Sequence, residues 1–407
     1  METVVDSRLQ RFFVVLCLGS AAFLSMVHVS MLSPLLKAIS QEFGVPIATS
    51  GQLATVESAA SGITALLIAP YLDSFSKKTL LKAQCLVTGI GMVMSMVSPN
   101  FWILAVGRIV VGIGSAVIVA TCLALCGEIF DSADRRNWAL GIVTSAVTLG
   151  AVLGLPITTL IEGAFGWRVA IIHHAPVIIL ILATLKFVPM VERSLKSQKP
   201  DGWIKSYREI LTQRAVISVL LSLLILYVSW YGSMLYFSAF AKSEFHLSDK
   251  NLSSIFLLAG LCQVFANNFT PVVIKKIEPR SVIQIASFVL LLNLLLVSFH
   301  GSNTWLLYPF FAINNFTATV IYLAASIMLM GIDEERRGAI MTLSSATFGM
   351  GSAAGSAFFG FLLATTGEFR YGYLGSAMLV LLLFPALALS KKNFFKSGPS
   401  FAENVSE

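Results

Sequence analysis

RRNWALGIVTSAVTLGAVLGLPITTLIEGAFG, residues 135–166, returns further along the chain as RRGAIMTLSSATFGMGSAAGSAFFGFLLATTG, residues 336–367. In one unbroken register Arg135-Arg136 meets Arg336-Arg337, Gly150 meets Gly351, Gly154 meets Gly355 and Gly166 meets Gly367. At the same offset Pro70 meets Pro271 upstream. Each stretch opens on a basic pair and then runs through apolar and small residues for long enough to cross a bilayer. A single coincidence would carry nothing, but this set in one register indicates two duplicated halves. Internal repeats around a central site are a signature of secondary transporters, whereas a single-file channel or a receptor has no need of them.

Composition agrees with a membrane setting. Of 407 residues, 56% are hydrophobic and 12% charged, with a mean hydropathy of +0.82. A soluble domain carries about a quarter charged residues, so an ordinary globular protein and a disordered chain are both excluded. Cys17, Cys85, Cys122, Cys126 and Cys262 all lie in apolar runs. They read as small core residues, with no disulfide framework and no metal site. No nucleophile–base motif, metal-ligand spacing or phosphate loop occurs, so no enzyme is predicted and no cofactor is expected.

A helix needs about 20 apolar residues to cross roughly 30 Å of hydrocarbon. That measure predicts twelve spans: residues 12–36, 51–72, 79–97, 101–126, 140–162 and 169–188, then 215–241, 252–274, 281–299, 304–330, 339–363 and 371–390. The first run is too long for a signal peptide and reads as a retained helix. The predicted fold is therefore an all-α polytopic membrane protein, twelve transmembrane helices in two pseudo-symmetric six-helix bundles. The first bundle covers 1–190, a linker 191–214, the second bundle 215–390 and a tail 391–407. In the linker, Trp203, Tyr207, Ile210 and Leu211 share one helical face. That pattern fits an interfacial helix or a solvated linker.

With the N-terminus inside, most of the 28 Lys and Arg fall on inner segments. Lys37, Arg168, Lys242, Lys250 and Arg370 fall outside, and Arg108 lies within a span. The asymmetry predicts that both termini and the linker are cytoplasmic. The formal charge of +7 then belongs to the loops and implies no nucleic-acid partner.

The loop after the second span reads Ala69-Pro70-Tyr71-Leu72-Asp73-Ser74-Phe75-Ser76-Lys77-Lys78-Thr79-Leu80-Leu81. It resembles the G-x-L-A-D-R-x-G-R-K-x-x-L loop of the major facilitator superfamily, keeping Asp73, Lys77, Lys78 and Leu81. It departs at Ala69, Ser74 and Ser76, and Glu128 stands where it can pair with Lys77 or Lys78. A short basic loop also satisfies the inside rule without any family. Arg108-Ile109-Val110-Val111-Gly112-Ile113-Gly114-Ser115-Ala116 is similar to the R-x-x-x-G-x-G-x-A pattern of drug:proton antiporters and sugar efflux permeases. Gly150, Gly154 and Pro156, followed by Gly166-Trp167-Arg168, resemble the antiporter motif G-x-x-x-G-x-P and the G-W-R after it. Small residues four apart let helix backbones approach closely, and a proline beside them permits a bend. Any tight helix pair uses such a stripe, so the specific content lies in three motifs in the right helices. The resemblance covers essentially the whole chain and implies the major facilitator fold, with Asp73, Lys77, Lys78, Glu128, Gly112, Gly150, Gly154 and Pro156 in gating and helix packing.

Ionisable residues inside spans are costly and usually functional. His28, Glu57 and Arg108 all fall about 9 to 12 Å below the outer ends of their helices, at 1.5 Å per residue. Low dielectric disfavours a carboxylate's charge, and a guanidinium beside it restores that charge. Glu57 is then either a protonatable carboxylate held by Arg108, or part of a static Glu–Arg or His–Glu pair that pins helices. His28 is either a hydrogen-bonded packing residue or part of the proton path. Efflux relatives often carry an acidic residue in the first helix, and this first helix has none. His173 and His174 open the sixth span near the predicted outer surface.

The second half has no charged residue deep in a span. It offers Tyr227, Trp230, Tyr231 and Tyr236, then Gln263, Asn267 and Asn268, then Asn314, Asn315 and Tyr322. Carboxamides in hydrocarbon need partners and so face the bundle interior. Tyr227, Trp230, Tyr231, Gln263, Asn267, Asn314 and Asn315 are candidate cavity residues for a neutral or amphipathic solute, and some of them are interhelical hydrogen bonds instead. Tyr231 and Tyr236 also lie close enough to a helix end to be interfacial anchors. The expected function is export of a small organic solute (drug-like, sugar-like or a metabolite) by alternating access. Proton antiport is the expected coupling, with the proton gradient as energy source. An uptake symporter and a non-transporting membrane sensor are the alternatives. The expected setting is a monomer in the lipid bilayer of a bacterial-type inner membrane, with a small-molecule substrate and no metal.

Overall fold

The computed structural model describes residues 7–68, 75–130, 132–190, 208–299, 303–332 and 337–389. Among these the protein is all α-helix, with no strand. We label the spans α1 to α12. The first is α1, Arg8–Ser30, which turns at Met31 and continues as Leu32–Phe43. Next come α2, Ile47–Ile68; α3, Lys77–Met96; and α4, Phe101–Ser115 continuing as Ile118–Ile129. α5 is Ala133–Phe165, and α6 is Trp167–Ile172 continuing as Ala175–Thr184. Then follow α7, Arg214–Glu244; α8, Asp249–Ile274; α9, Pro279–Ser298; α10, Leu307–Ile332; α11, Arg337–Thr366; and α12, Phe369–Leu381 continuing as Leu383–Ala388.

Eleven of these are long and apolar enough to cross a membrane. The exception is α2, which has 22 residues and whose hydropathy is lowered by Gln52 and Glu57. Large apolar side chains such as Val97, Trp102, Phe165, Ile179, Phe299 and Met378 stand more than half exposed. On a soluble monomer such a surface would drive association, whereas in a bilayer acyl chains cover it. The first span runs past its expected end at residue 36 to Phe43, where Gly44 in the left-handed region (φ 62°) stops it. Glycine alone enters that region without steric cost.

Two compact units result: Met1–Pro200 with Ser248–Leu257, and Asp201–Leu247 with Leu258–Glu407. In the first, α1 packs on α5 and α6, and α4 on α2 and α3. Its core joins Val14, Leu18, Ala22, Leu81, Val111, Leu125 and Ile178 with four of the cysteines, all buried. Cys262, on α8, is half-buried. In the second unit α7 packs on α10, α11 and α12, and α9 on α10 and α12. Rings fill this core: Tyr236 stacks on Phe359 at 4.9 Å, Phe237 on Phe311 at 4.2 Å, and Tyr373 meets Phe240, Phe310 and Phe359. Tyr231 and Tyr236 are therefore core residues, 3% and 0% exposed, and not interfacial anchors. Packing on α10, α11 and α12 overrides what their position along α7 suggested.

The duplication read from the sequence is also a duplication of contacts. Gly150 lies against Phe23 and Gly154 against Val27, which seats α5 on α1. At the same offset Gly351 lies against Leu224 and Tyr227, and Gly355 against Tyr227 and Val228, which seats α11 on α7. Gly166 and Gly367 end the two long helices with positive φ, 81° and 76°.

Candidate functional site

The first unit builds its polar site from α1, α2, α4 and α6. On α4, Arg108 and Gly112 are one turn apart and share a face. A Cβ at Gly112 would overlap the Glu57 carbonyl oxygen, so α4 approaches α2 at backbone contact there. That approach carries the Arg108 guanidinium onto the Glu57 carboxylate. Nε donates to Oε2 at 3.0 Å, and Nη2 donates to the same oxygen. Arg108 is fully buried and Glu57 is 8% exposed. The third guanidinium nitrogen, Nη1, has no hydrogen-bond partner among the described residues. Taking both charges out of water costs several kcal/mol per ion, which only their pairing offsets.

His28 does not join Glu57. Its Nδ1 lies 3.3 Å from Nε2 of His174, ring against ring at 4.5 Å between centroids. His174, expected near the outer end of the sixth span, is 2% exposed, its ring buried in the packing. The reason is local. Pro176 has no N–H to continue the helix, so α6 breaks at His173 and His174 and turns the second imidazole toward α1. The charge of Arg108 acts on both His28 and His174, so the pair and the two imidazoles share one electrostatic neighbourhood. A histidine pair followed by proline inside an apolar run was the available signal for His174, but nothing local tied it to His28.

At the other end of this unit, Lys77 meets Glu128 at 3.6 Å, both largely buried, while Lys78 Nζ donates to the Val188 carbonyl at 2.5 Å. Of the two lysines expected near Glu128, Lys77 makes the ion pair. Asp73 lies outside the described residues. Trp167 and Arg168 of the G-W-R stretch both donate to the Glu42 carboxylate, and Arg168 Nη2 donates to Ser98 O at 2.8 Å. These bonds tie the ends of α1, α3 and α6.

The second unit gathers amides and rings on α7, α8, α10 and α11. Asn314 Nδ2 donates to Ser233 Oγ at 3.1 Å, and Ser233 donates to the Trp230 carbonyl at 2.7 Å. Gln263 Nε2 donates to Asn315 Oδ1 at 3.0 Å, and Asn315 donates to Phe311 O at 2.8 Å. Tyr227 meets Phe348 edge to face at 5.0 Å, and Tyr231 meets the same ring at 6.5 Å. Asn267 is half-buried on α8. Trp230 Nε1 and Asn314 Oδ1 are buried without a partner among the described residues, one donor and one acceptor left over. Phe348 and Ser233 belong to this cluster, and neither stood out in the sequence, since a phenylalanine and a serine are unremarkable in an apolar helix. Among the described residues no group of His, Cys, Asp or Glu could hold a metal ion.

A family model described as Major Facilitator Superfamily matches residues 18–330 and 219–405. The chain is 22% identical over 359 residues to an uncharacterized MFS-type transporter, YceJ, of Bacillus subtilis (strain 168), covering 88% of this chain and 89% of that protein. It is 22% identical over 368 residues to a protein of Haemophilus influenzae (strain PittGG) named "Probable sugar efflux transporter", covering 89% and 90%. In fold it is similar to a bacterial homolog of the human lysosomal transporter Spinster in an inward-facing, unoccupied conformation. That likeness has TM-score 0.76 and 16% identity, and covers 98% of this chain and 99% of that one. It is also similar to a D-xylose-proton symporter, with TM-score 0.72 and 15% identity over 97% and 99%. With the family model spanning most of its length, this multi-pass membrane protein belongs to the Major Facilitator Superfamily, a transporter and not an enzyme.

Proposed function

We propose that the protein is a proton-coupled antiporter that exports a small neutral or amphipathic organic solute by alternating access, powered by the proton gradient and without a cofactor. It works as a monomer in a bacterial-type inner membrane with both termini in the cytoplasm. The observation that carries this reading is the buried Glu57–Arg108 pair. A carboxylate held by one cation in low dielectric is a group whose charge a proton can cancel, and an intramembrane ionisable pair of this kind marks a coupling site. Protonation releases the guanidinium from the carboxylate and so changes what holds α2 to α4. In this reading Asp73, Lys77, Lys78 and Glu128 act in gating, and Gly112, Gly150, Gly154 and Pro156 in the helix packing that gating moves.

The solute binds among Tyr227, Trp230, Tyr231, Gln263, Asn267, Asn314 and Asn315. Aromatic faces with amide donors and acceptors, and no charge, suit a solute bearing hydroxyl or amide groups on an apolar frame. The name of the Haemophilus influenzae relative supports the outward direction and a sugar-like solute.

The test is flux in proteoliposomes under an imposed pH gradient, with a panel of sugars, sugar derivatives and amphipathic drugs. Antiport requires that solute move against the proton flow, and that Glu57→Gln lose its dependence on the gradient. Solute moving with protons makes the protein a symporter for uptake. No flux with any compound supports a sensor on the same fold.

A further inference from the structure

The Glu57–Arg108 pair leaves a second buried polar cluster without a role. His28 and His174 are each 2% exposed, yet two imidazoles in an apolar interior are costly unless their nitrogens are used. Their facing nitrogens, Nδ1 of His28 and Nε2 of His174, are 3.3 Å apart, so one carries the hydrogen and the other accepts it. Their far nitrogens, Nε2 of His28 and Nδ1 of His174, have no partner among the described residues. His173 comes next in line. Its ring stands 4.8 Å from that of His174, it is half-buried, and its Nδ1 donates to Ala170 O at 2.6 Å.

Two imidazoles joined nitrogen to nitrogen, each with its other nitrogen open, can pass a proton without either ring leaving its place. A proton arriving on Nδ1 of His174 makes that ring cationic. Its Nε2 proton crosses to Nδ1 of His28, and the Nε2 proton of His28 then departs. One proton enters and one leaves, and each ring ends in its other tautomer. A merely structural histidine pair has no use for an open nitrogen at both ends.

The groups around this pair are few. α4 contributes Arg108, whose charge acts on both imidazoles and which holds Glu57 of α2, and α6 contributes His173 beside His174. α5, seated on α1 through Gly154 against Val27 and Ser30, brings no ionisable side chain within a turn of that glycine. α3, packed on α4 and α6, carries beyond Lys82 only Cys85 among titratable residues. Glu57, bound to Arg108, is the buried carboxylate of this polar site, whereas Glu42 on the continuation of α1 is engaged by Trp167 and Arg168.

We propose that His174 and His28 form a two-imidazole relay that delivers protons from the break in α6 to the Glu57–Arg108 pair. The relay rests on the reading of Glu57 as the protonated group, and its test separates the two ideas. Full-length protein in lipid nanodiscs is dropped from neutral to acidic pH, and carboxyl protonation is followed by time-resolved infrared absorption. The Glu57 signal is the band missing in Glu57→Gln. In His174→Phe and in His28→Asn the same band is expected to reach the same amplitude at least about 100-fold more slowly, the range in which positioned proton-transfer groups act. Free imidazole added to His174→Ala is expected to restore the rate, which a packing role would not do. A wild-type rate in both histidine variants overturns the relay and leaves Glu57 standing. Absence of any band lost in Glu57→Gln overturns the coupling role of Glu57, and the relay with it.

Discussion

The backbone of Gly112 rests on the carbonyl of Glu57, and Arg108, one turn earlier on the same face of α4, holds the carboxylate of that same residue. The arginine and glycine of the R-x-x-x-G pattern are thus two parts of one device. The glycine sets the distance between helices, and the arginine uses it. Without the close approach the guanidinium would be a buried charge with no counter-ion, which costs far more than the pair.

Substitution at Gly112 therefore acts on the ion pair from a distance. Gly112→Leu is expected to force α4 from α2 and to lower stability by about 1–3 kcal/mol or more, the range for overpacked interiors. Gly141→Ala is the control, because nothing lies within 4 Å of a Cβ there and alanine favours helix. Thermal unfolding in detergent, followed by tryptophan fluorescence, is expected to show a lowered midpoint for the first and an unchanged or raised one for the second.

Removing one partner of the pair is expected to cost more than removing both. Glu57→Gln or Arg108→Gln alone leaves a charged or polar group buried without its complement, at a cost of about 3–5 kcal/mol. The double variant is expected to lose clearly less than the sum of the two. A double-mutant cycle by denaturant unfolding checks this, and additive losses would mean that the two side chains do not depend on each other.

Trp230→Phe separates binding from folding in the second unit. The indole N–H of Trp230 has no partner among the described residues, so its loss is expected to leave the unfolding midpoint nearly unchanged. A solute that accepts from this N–H is expected to bind about 3- to 10-fold more weakly, the worth of one neutral hydrogen bond. Titration of the solute identified by flux, against wild type and variant, gives the ratio.

The basic residues of the loops predict the orientation. Reporter tags at the N-terminus and at the C-terminus are both expected to be accessible from the cytoplasmic side alone. Protease protection in oriented membrane vesicles measures it, and opposite sides for the two tags would refute an even number of spans.

Much of this molecule is legible along the chain. The register that pairs Gly150 with Gly351 and Gly154 with Gly355 also pairs their contacts, Phe23 with Leu224 and Val27 with Val228. Small residues at helical spacing encode a close approach, and the repeat carries it into both halves. The pairing of Arg108 with Glu57 was one of the readings open at equal depth in neighbouring spans. His28 shows the limit. Its partner His174 lies 146 residues away and nothing along the chain joins the two, because helical periodicity says which face is buried and not which helix lies opposite. Tyr236 shows the same limit, read as an anchor from its place along α7 and found stacked on Phe359.

What the amino-acid sequence determined by itself was the membrane class, the spans, their duplication and the short set of ionisable residues inside them. The physical reason is that a helix in hydrocarbon satisfies its backbone hydrogen bonds within its own segment, so whether it spans depends on its own residues. The tertiary structure decided the partners: Glu57 with Arg108, His28 with His174, Lys77 with Glu128, Gln263 with Asn315. Those choices depend on how closely helices approach and on where α6 breaks, which are properties of the packed bundle and of no single span.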